Sequence, residues 1–278
     1  MTAGTRDRKP WAAGLLSLLM PGLGQLYNGQ GGKGFGLLFL SFALLLVAVP
    51  LFKSFAGLVT AMSLLLVFLG VVVWDAARQA RRQGVSRLKW YNRWWVYVLL
   101  VAVNALAGLG ADSYLSATVY ESFYVPSESM EPTLMPGDRF LGRVLRGDER
   151  PQTGDIVVFH PPGMDGVYYV KRLVAGPGDV VEVREGVVSI NGRRVRSGKA
   201  VFDHVKGEPV RDRAPGRLGR DEYWVMGDNR GKSYDSRFFG PVSRERIGYK
   251  ALYVFWASSA KSGSRWDRFG QRLDGVNR

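Results

Sequence analysis

The chain contains no cysteine, so disulfide frameworks, thiolate metal sites and cysteine nucleophiles are all excluded. It has only two histidines, His160 and His204, too few for a histidine-rich metal centre. Acidic residues are scarce in its first part. Residues 1–111 hold eleven Lys and Arg against Asp7 and Asp75, a net +9 of the formal +14. Such basicity would ordinarily suggest nucleic acid. Here most of the excess flanks apolar runs, where topology-setting charge sits in membrane proteins, so no nucleic-acid partner is expected.

What is present in abundance is long apolar sequence. Four stretches precede residue 112: Trp11–Tyr27, Gly36–Phe52, Phe55–Trp74 and Trp94–Ala111. The second and third are uncharged and about long enough for a ~20-residue spanning helix. The fourth opens on aromatics suited to a membrane interface. The first has the outline of a cleavable signal peptide, with Arg6, Arg8 and Lys9 ahead of an apolar core. It runs directly into another apolar segment, however, and PGLGQLYNGQGGKG resembles the start of the small membrane modules called TM2 domains. The segment Asp75–Arg93 carries six basic residues and is expected to be a cytoplasmic loop. The residues after the fourth stretch then face outward. Three crossings with Trp11–Tyr27 lying in the interface or re-entering are favoured; four crossings with an outward N-terminus are the alternative.

Beyond Ser113 the pattern is β. Val157–Phe159, Val167–Val174, Val180–Arg184, Val187–Ile190 and Leu252–Trp256 are short β-branched and aromatic runs between turn residues. Arg184-Glu185-Gly186-Val187 and Ile190-Asn191-Gly192-Arg193 read as hairpin turns. Residues 196–221 read as a polar surface insertion, and the tail 261–278 as a peripheral, partly helical extension. A multi-pass helical anchor over 1–111 followed by a mainly-β domain over 112–260 is the predicted architecture.

Three patches carry possible chemistry. Ser127 and Ser129 lie two apart in an extended stretch bounded by Pro126 and Pro132. A serine attacks a carbonyl only if a base takes its proton. His160 and His204 have no obvious orienting partner. Lys171 shares a strand face with Val167, Tyr169 and Leu173, by two-residue alternation. It either snorkels at an edge or is held in an apolar setting, where burial would lower its pKa and leave a neutral amine. The third patch, Gly227–Arg237, is a loop in which Asp235 with Arg237, or Asp228 with Arg230, could form a pinning ion pair.

Taken together these patches resemble signal peptidase I, the Ser-Lys protease family that removes signal peptides from exported preproteins. PSESMEPTL at 126–134 resembles the family's nucleophile box, and Gly154-Asp155 with Val157-Val158-Phe159 the next one. YVKRLVAGPGD at 169–179 resembles the lysine box and GDNRGKSYDSR at 227–237 the Gly-Asp-Asn box, with Gly248–Ala251 following in order. The resemblance implies the signal peptidase/LexA-like β fold, with Ser129 as nucleophile and Lys171 as general base. It implies that Ser127 and the Ser129 N–H form an oxyanion hole and that Ser233 orients the lysine. Asp228, Asp235 and Arg237 would support that loop. Phe123, Tyr124, Val125 and Pro126, with Tyr168, Tyr169 and Val170, would bind substrate as an added strand, with small residues at its −1 and −3 positions. Met130 is expected near the site or a membrane face. No metal or cofactor is implied.

The implied partners are preprotein signal peptides, the lipid bilayer and the secretion translocase. The implied location is the bacterial inner membrane, with the catalytic domain on the periplasmic face. Three departures stand out: Glu128 between the serines, the lack of cysteine for the disulfide of some members, and the long N-terminal region. Glu128 must turn its carboxylate away from the oxyanion. The competing readings are a LexA-type self-cleaving regulator, which three membrane segments oppose, a processing peptidase of narrow specificity (pilin-type maturation, for example), and a non-enzymatic membrane scaffold.

Overall fold

The computed structural model describes residues 5–83, 85–147, 149–195, 204–205, 208–209, 212–259 and 263–273. It divides into two compact units, Met1–Ser113 and Tyr114–Arg278.

The first unit is helical. A short pair, β1 (Thr5–Asp7) with β2 (Val85–Arg87), joins the N-terminal strand to the segment before the last helix. Helix α1 (Pro10–Leu19) starts on a proline, whose missing N–H costs nothing in a first turn. It ends before Pro21, and α2 (Leu23–Tyr27) follows with Leu23–Leu26 buried. The first apolar stretch is thus two short helices. Helix α3 (Gly31–Ala48) and α4 (Phe55–Gln83) are joined by a 3₁₀ turn at Val49–Lys53, and α5 (Trp94–Thr118) completes the set. Small residues allow α1 to lie close on α4, with Ala13, Ala76 and Ala80 buried together. Buried amides bind the pieces: Gln25 Nε2 donates to Val72 O and Asp75 Oδ2, and Asn28 Nδ2 to Ala76 O. Lys33 reaches Asp75 at 2.6 Å. The expected loop at Asp75–Arg93 is corrected here. Asp75, Arg78, Arg81 and Arg82 lie on α4, because no proline or glycine interrupts the sequence from Asp75 to Gln83.

The second unit is mainly β. Its strands are β3 (Tyr120–Tyr124), β4 (Asp138–Val144), β5 (Ile156–Phe159), β6 (Tyr169–Ala175), β7 (Val180–Arg184), β8 (Val187–Ile190) and β9 (Arg193–Arg194). After them come β10 (His204–Val205), β11 (Glu208–Pro209), β12 (Arg213–Arg217), β13 (Glu222–Met226), β14 (Val242–Ser243), β15 (Ile247–Ser259) and β16 (Gly263–Ser264). One short helix, α6 (Ser236–Phe239), follows β13. The main sheet runs β14-β13-β6-β5-β15-β4-β3, with β16 on β15. Register shifts where β15 meets β4 and β5 let this long strand bend between its neighbours. A second sheet has the order β12-β7-β8-β9. Both two-residue hairpin turns are present. Glu185-Gly186 and Asn191-Gly192 all have positive φ, the conformation that primed turns require.

Two sequence expectations need correction. Residues 213–217 of the polar insertion form β12, which pairs antiparallel with β7; residues 196–203, 206–207 and 210–211 lie outside the described residues. The tail is not peripheral over 263–273. Leu273 is buried in the core with Val125, Met130 and Leu134. Arg265 and Arg268 reach the fully buried Asp138 at 2.8 and 2.6 Å. Residues 260–262 and 274–278 lie outside the described residues.

Candidate active site

Backbone constraints set the serine loop. After β3, Val125 exchanges hydrogen bonds with residues 137 and 138, so its side chain enters the core and its peptide groups are occupied. Pro126 then leads to a single 3₁₀ turn, Glu128–Met130. Met130 is fully buried and anchors that turn from below, beside the site as one of its two expected places had it and not at a membrane face. Ser129 is buried with its hydroxyl toward β6, and Ser127 Oγ lies 3.2 Å from Ser129 Oγ. Glu128 turns outward and forms an exposed ion pair with Lys232. Its carboxylate therefore does not oppose charge on the inner side of the turn.

Lys171 comes from the middle of β6, opposite Val157 of β5. Alternation along β6 buries Lys171, Leu173 and Ala175. Its Nζ lies 2.8 Å from Ser129 Oγ and 3.0 Å from Val170 O. Only 4% of the lysine is exposed. Burial lowers its pKa from 10.5 to about 8, against the opposing pull of Asp235 and Asp228, which favour the ammonium.

The 227–237 loop locks these two residues from one side. Asn229 N donates to Ser129 O at 3.1 Å. Gly227 packs so close that a Cβ there would lie 2.5 Å from Ser129 O and 2.2 Å from Ser233 Oγ, so no larger residue fits. Asp235 is fully buried and paired with Arg237, Oδ1 to Nε at 2.9 Å. It also accepts from Gly227 N and from Ser233 Oγ, the latter at 2.7 Å. Ser233 is therefore not bonded to the lysine amine. Its hydroxyl donates to Asp235. Asp228 pairs not with Arg230 but with Arg172, which grips both carboxylate oxygens at 2.8 and 2.7 Å and also donates to Gly154 O.

Beside the dyad lies a cavity of about 310 Å³. Phe123, Tyr124, Pro126, Tyr168, Tyr169 and Val170 line it, as do Ser127, Ser129 and Lys171. Val125 does not. Val167 lines it too, and sequence reasoning missed Phe140, Val158, Lys232 and Tyr234, which complete the lining. The first two come from strands β4 and β5 that only the sheet order brings here. Gly227, Asn229 and Arg172 were also given no role. The Gly-Asp-Asn box held that signal for the first two. On the cavity side, β3 ends the sheet, and β13 pairs β6 only over Arg172–Ala175. Among the described residues no strand pairs with Tyr169–Lys171 on that edge. Two backbone edges thus border the cavity. Among the described residues no cluster of His, Asp or Glu is arranged to hold a metal ion.

The arrangement has counterparts in known proteins. The family model "Signal peptidase, peptidase S26" matches residues 92–256. The chain is 33% identical over 165 residues to "Signal peptidase I" of Leptolyngbya laminosa, covering 56% of this chain and 76% of that one. It is 36% identical over 171 residues to "Probable signal peptidase I-2" of Synechocystis sp., covering 59% and 74%. It is also 30% identical over 204 residues to "Thylakoidal processing peptidase 1, chloroplastic" of Arabidopsis thaliana, covering 69% and 58%.

Proposed function

The chain belongs to the signal peptidase S26 family, and on that premise we propose that Ser129 cleaves signal peptides with Lys171 as its general base. It is a serine peptidase that acts on signal-peptide-bearing preproteins. The observation that carries the residue assignment is the 2.8 Å approach of a buried, easily deprotonated amine to a serine hydroxyl.

In the first step the neutral Lys171 amine takes the Ser129 proton as Oγ bonds to the scissile carbonyl carbon. The carbonyl oxygen becomes an oxyanion, which Ser127 Oγ and the Ser129 N–H would stabilise by a few kcal/mol. The ammonium then protonates the departing amine, and the carbon–nitrogen bond breaks to leave an acyl-Ser129. Lys171, neutral again, activates the water that releases the signal peptide. Asp235, through Gly227 and Ser233, holds the loop whose Asn229 fixes the Ser129 carbonyl. Arg172 and Asp228 brace the same loop from β6. A substrate strand fits between the two free edges, on β3 and at Tyr169–Val170, with side chains alternately entering the cavity. That cavity is mostly apolar and suits small residues at the −1 and −3 positions. Replacing Ser129 or Lys171 by Ala is expected to lower preprotein cleavage in proteoliposomes by about 10³-fold or more. Lys171→Arg should fail equally, because guanidinium keeps its proton. Near-normal cleavage by Lys171→Ala would sink the dyad.

The same reading extends to the membrane. Three segments, Gly31–Lys53, Phe55–Gln83 and Trp94–Leu115, are long and apolar enough to cross a bilayer. Helix α1, at ten residues, rises about 15 Å, half of the ~30 Å hydrocarbon thickness. Pairing of β1 with β2 supports an N-terminus on the same side as the Arg-rich segment, which is the cytoplasmic one. Three crossings of the inner membrane follow, with α1 and α2 re-entering from the cytoplasmic side and the residues after α5 on the outer face. The bilayer and the secretion translocase that delivers substrates are the further partners this reading implies.

A further inference from the structure

Glu128 stands where the reaction can least tolerate a carboxylate. It lies between the two serines on a single 3₁₀ turn, and its peptide bond to Ser129 carries the N–H that the oxyanion uses. A glutamate side chain is long enough to fold back on the N–H groups of its own turn. Turned inward, the Glu128 carboxylate would take that N–H or the Ser127 hydroxyl by a charge-assisted hydrogen bond, and would repel the charge that forms there.

What faces it across the rim of the cavity is Lys232. This residue ends the 3₁₀ turn Arg230–Lys232, next to Ser233. Two backbone bonds fix its place relative to the serine turn. Lys232 N donates to Asn229 O and Asn229 N donates to Ser129 O, both at 3.1 Å. The Lys232 amine grips Glu128 Oε2 while its side chain forms part of the cavity wall. Among the described residues it is the only cation paired with Glu128. Contact with Glu128, and to a smaller degree the charge of Glu131, holds the Lys232 amine above its ordinary 10.5. Burial brings Lys171 down to about 8. One lysine is therefore charged over the range in which the other is neutral.

We infer that Lys232 is a positioning residue of the cleavage reaction, holding the Glu128 carboxylate out of the oxyanion site. The inference rests on the Ser129–Lys171 reading and adds to it a residue that touches neither. An exposed ion pair contributes little to stability, so the effect belongs to rate rather than folding. An unheld carboxylate about 6 Å from the oxyanion, screened midway between protein and water, slows the reaction roughly tenfold. The oxyanion exists only beyond the bound substrate, so the loss falls on kcat and not on KM.

The test is steady-state preprotein cleavage by the full chain in proteoliposomes. Lys232→Gln is expected to lower kcat about tenfold with KM little changed. Lys232→Arg, which keeps the charge, should recover most of that loss. So should Glu128→Gln/Lys232→Gln, in which no carboxylate remains to be held. An unchanged kcat in Lys232→Gln overturns the inference. A loss that the double variant does not repair, or one carried by KM, makes Lys232 a substrate contact or a structural residue and overturns it too. Should Lys232→Gln not fold, Lys232→Met read against Glu128→Gln/Lys232→Met decides in the same way. Ser129→Ala in the same assay separates the two readings. If cleavage survives it, the dyad fails and this inference with it; if cleavage is lost there but indifferent to Lys232, only this inference fails.

Discussion

Lys171 is an expensive residue to keep. Holding its pKa near 8 against an ordinary 10.5 means that at pH 7 the folded state carries a buried ammonium, at a cost of about 3 kcal/mol. The sign follows from proton binding. Between about pH 8 and 10.5 the unfolded chain binds more protons than the folded one, so native stability rises with pH there. Below pH 8 the full cost is present. Lys171→Met is therefore expected to abolish cleavage yet leave the protein at least as resistant to urea as the native chain at pH 7. The gap between the two should close as pH approaches 10.5. A marked loss of stability at pH 7 in the methionine variant would show that the ammonium is not disfavoured. In sequence, strand alternation placed Lys171 with Tyr169 and Leu173 but left two fates open. What settles its burial is the neighbouring β5 and the 227–237 loop, and neither follows from local pattern. Ser233 illustrates the same limit: that its hydroxyl donates to the fully buried Asp235 depends on the loop's closure, which local pattern does not give.

At the scale of elements, the segment after β15 fastens the loop that follows the nucleophile. Arg265 and Arg268 converge on Asp138, while Arg268 and Gln271 also donate to Thr133 O. Asp138→Asn leaves two guanidinium groups without their buried counter-charge, and about 3–5 kcal/mol of stability should be lost. Urea unfolding of the detergent-solubilised chain reads this directly; an unchanged midpoint would mean that the clasp is superficial. The sequence did not disclose this clasp because its partners are some 130 positions apart and the tail reads as polar. Hairpins with local turn chemistry, at Glu185-Gly186 and Asn191-Gly192, were legible. Strands β4 and β13 were not, since each opens on a charged residue and acquires strand character from pairing within the sheet.

At the scale of the molecule, the absence of cysteine makes topology simple to measure. Single cysteines at Asp7, Lys53, Gln83 and Asp267 can be probed in cells with a membrane-impermeant maleimide. Three crossings predict labelling at 53 and 267 in intact cells, and at 7 and 83 only after permeabilisation. Labelling at position 7 in intact cells would support four crossings. Charge and apolar length made the three long apolar helices readable, whereas the fate of Trp11–Tyr27 was not. Its division at Pro21 and Gly22 and the pairing of β1 with β2 depend on contacts with α4 and on residues 85–87, far along the chain.

The central claim is that a buried lysine of lowered pKa activates Ser129, and the pH dependence of kcat/KM tests it most directly. Measured on the full chain in proteoliposomes, the rate should rise tenfold per pH unit below about 8 and level off above it, as the amine loses its proton. Because Asp228 favours the ammonium, Asp228→Asn should move that limb to lower pH. A flat profile from pH 6 to 10, or a limb that stays in place when Asp228 is neutralised and Lys171 replaced by Arg, would contradict the claim.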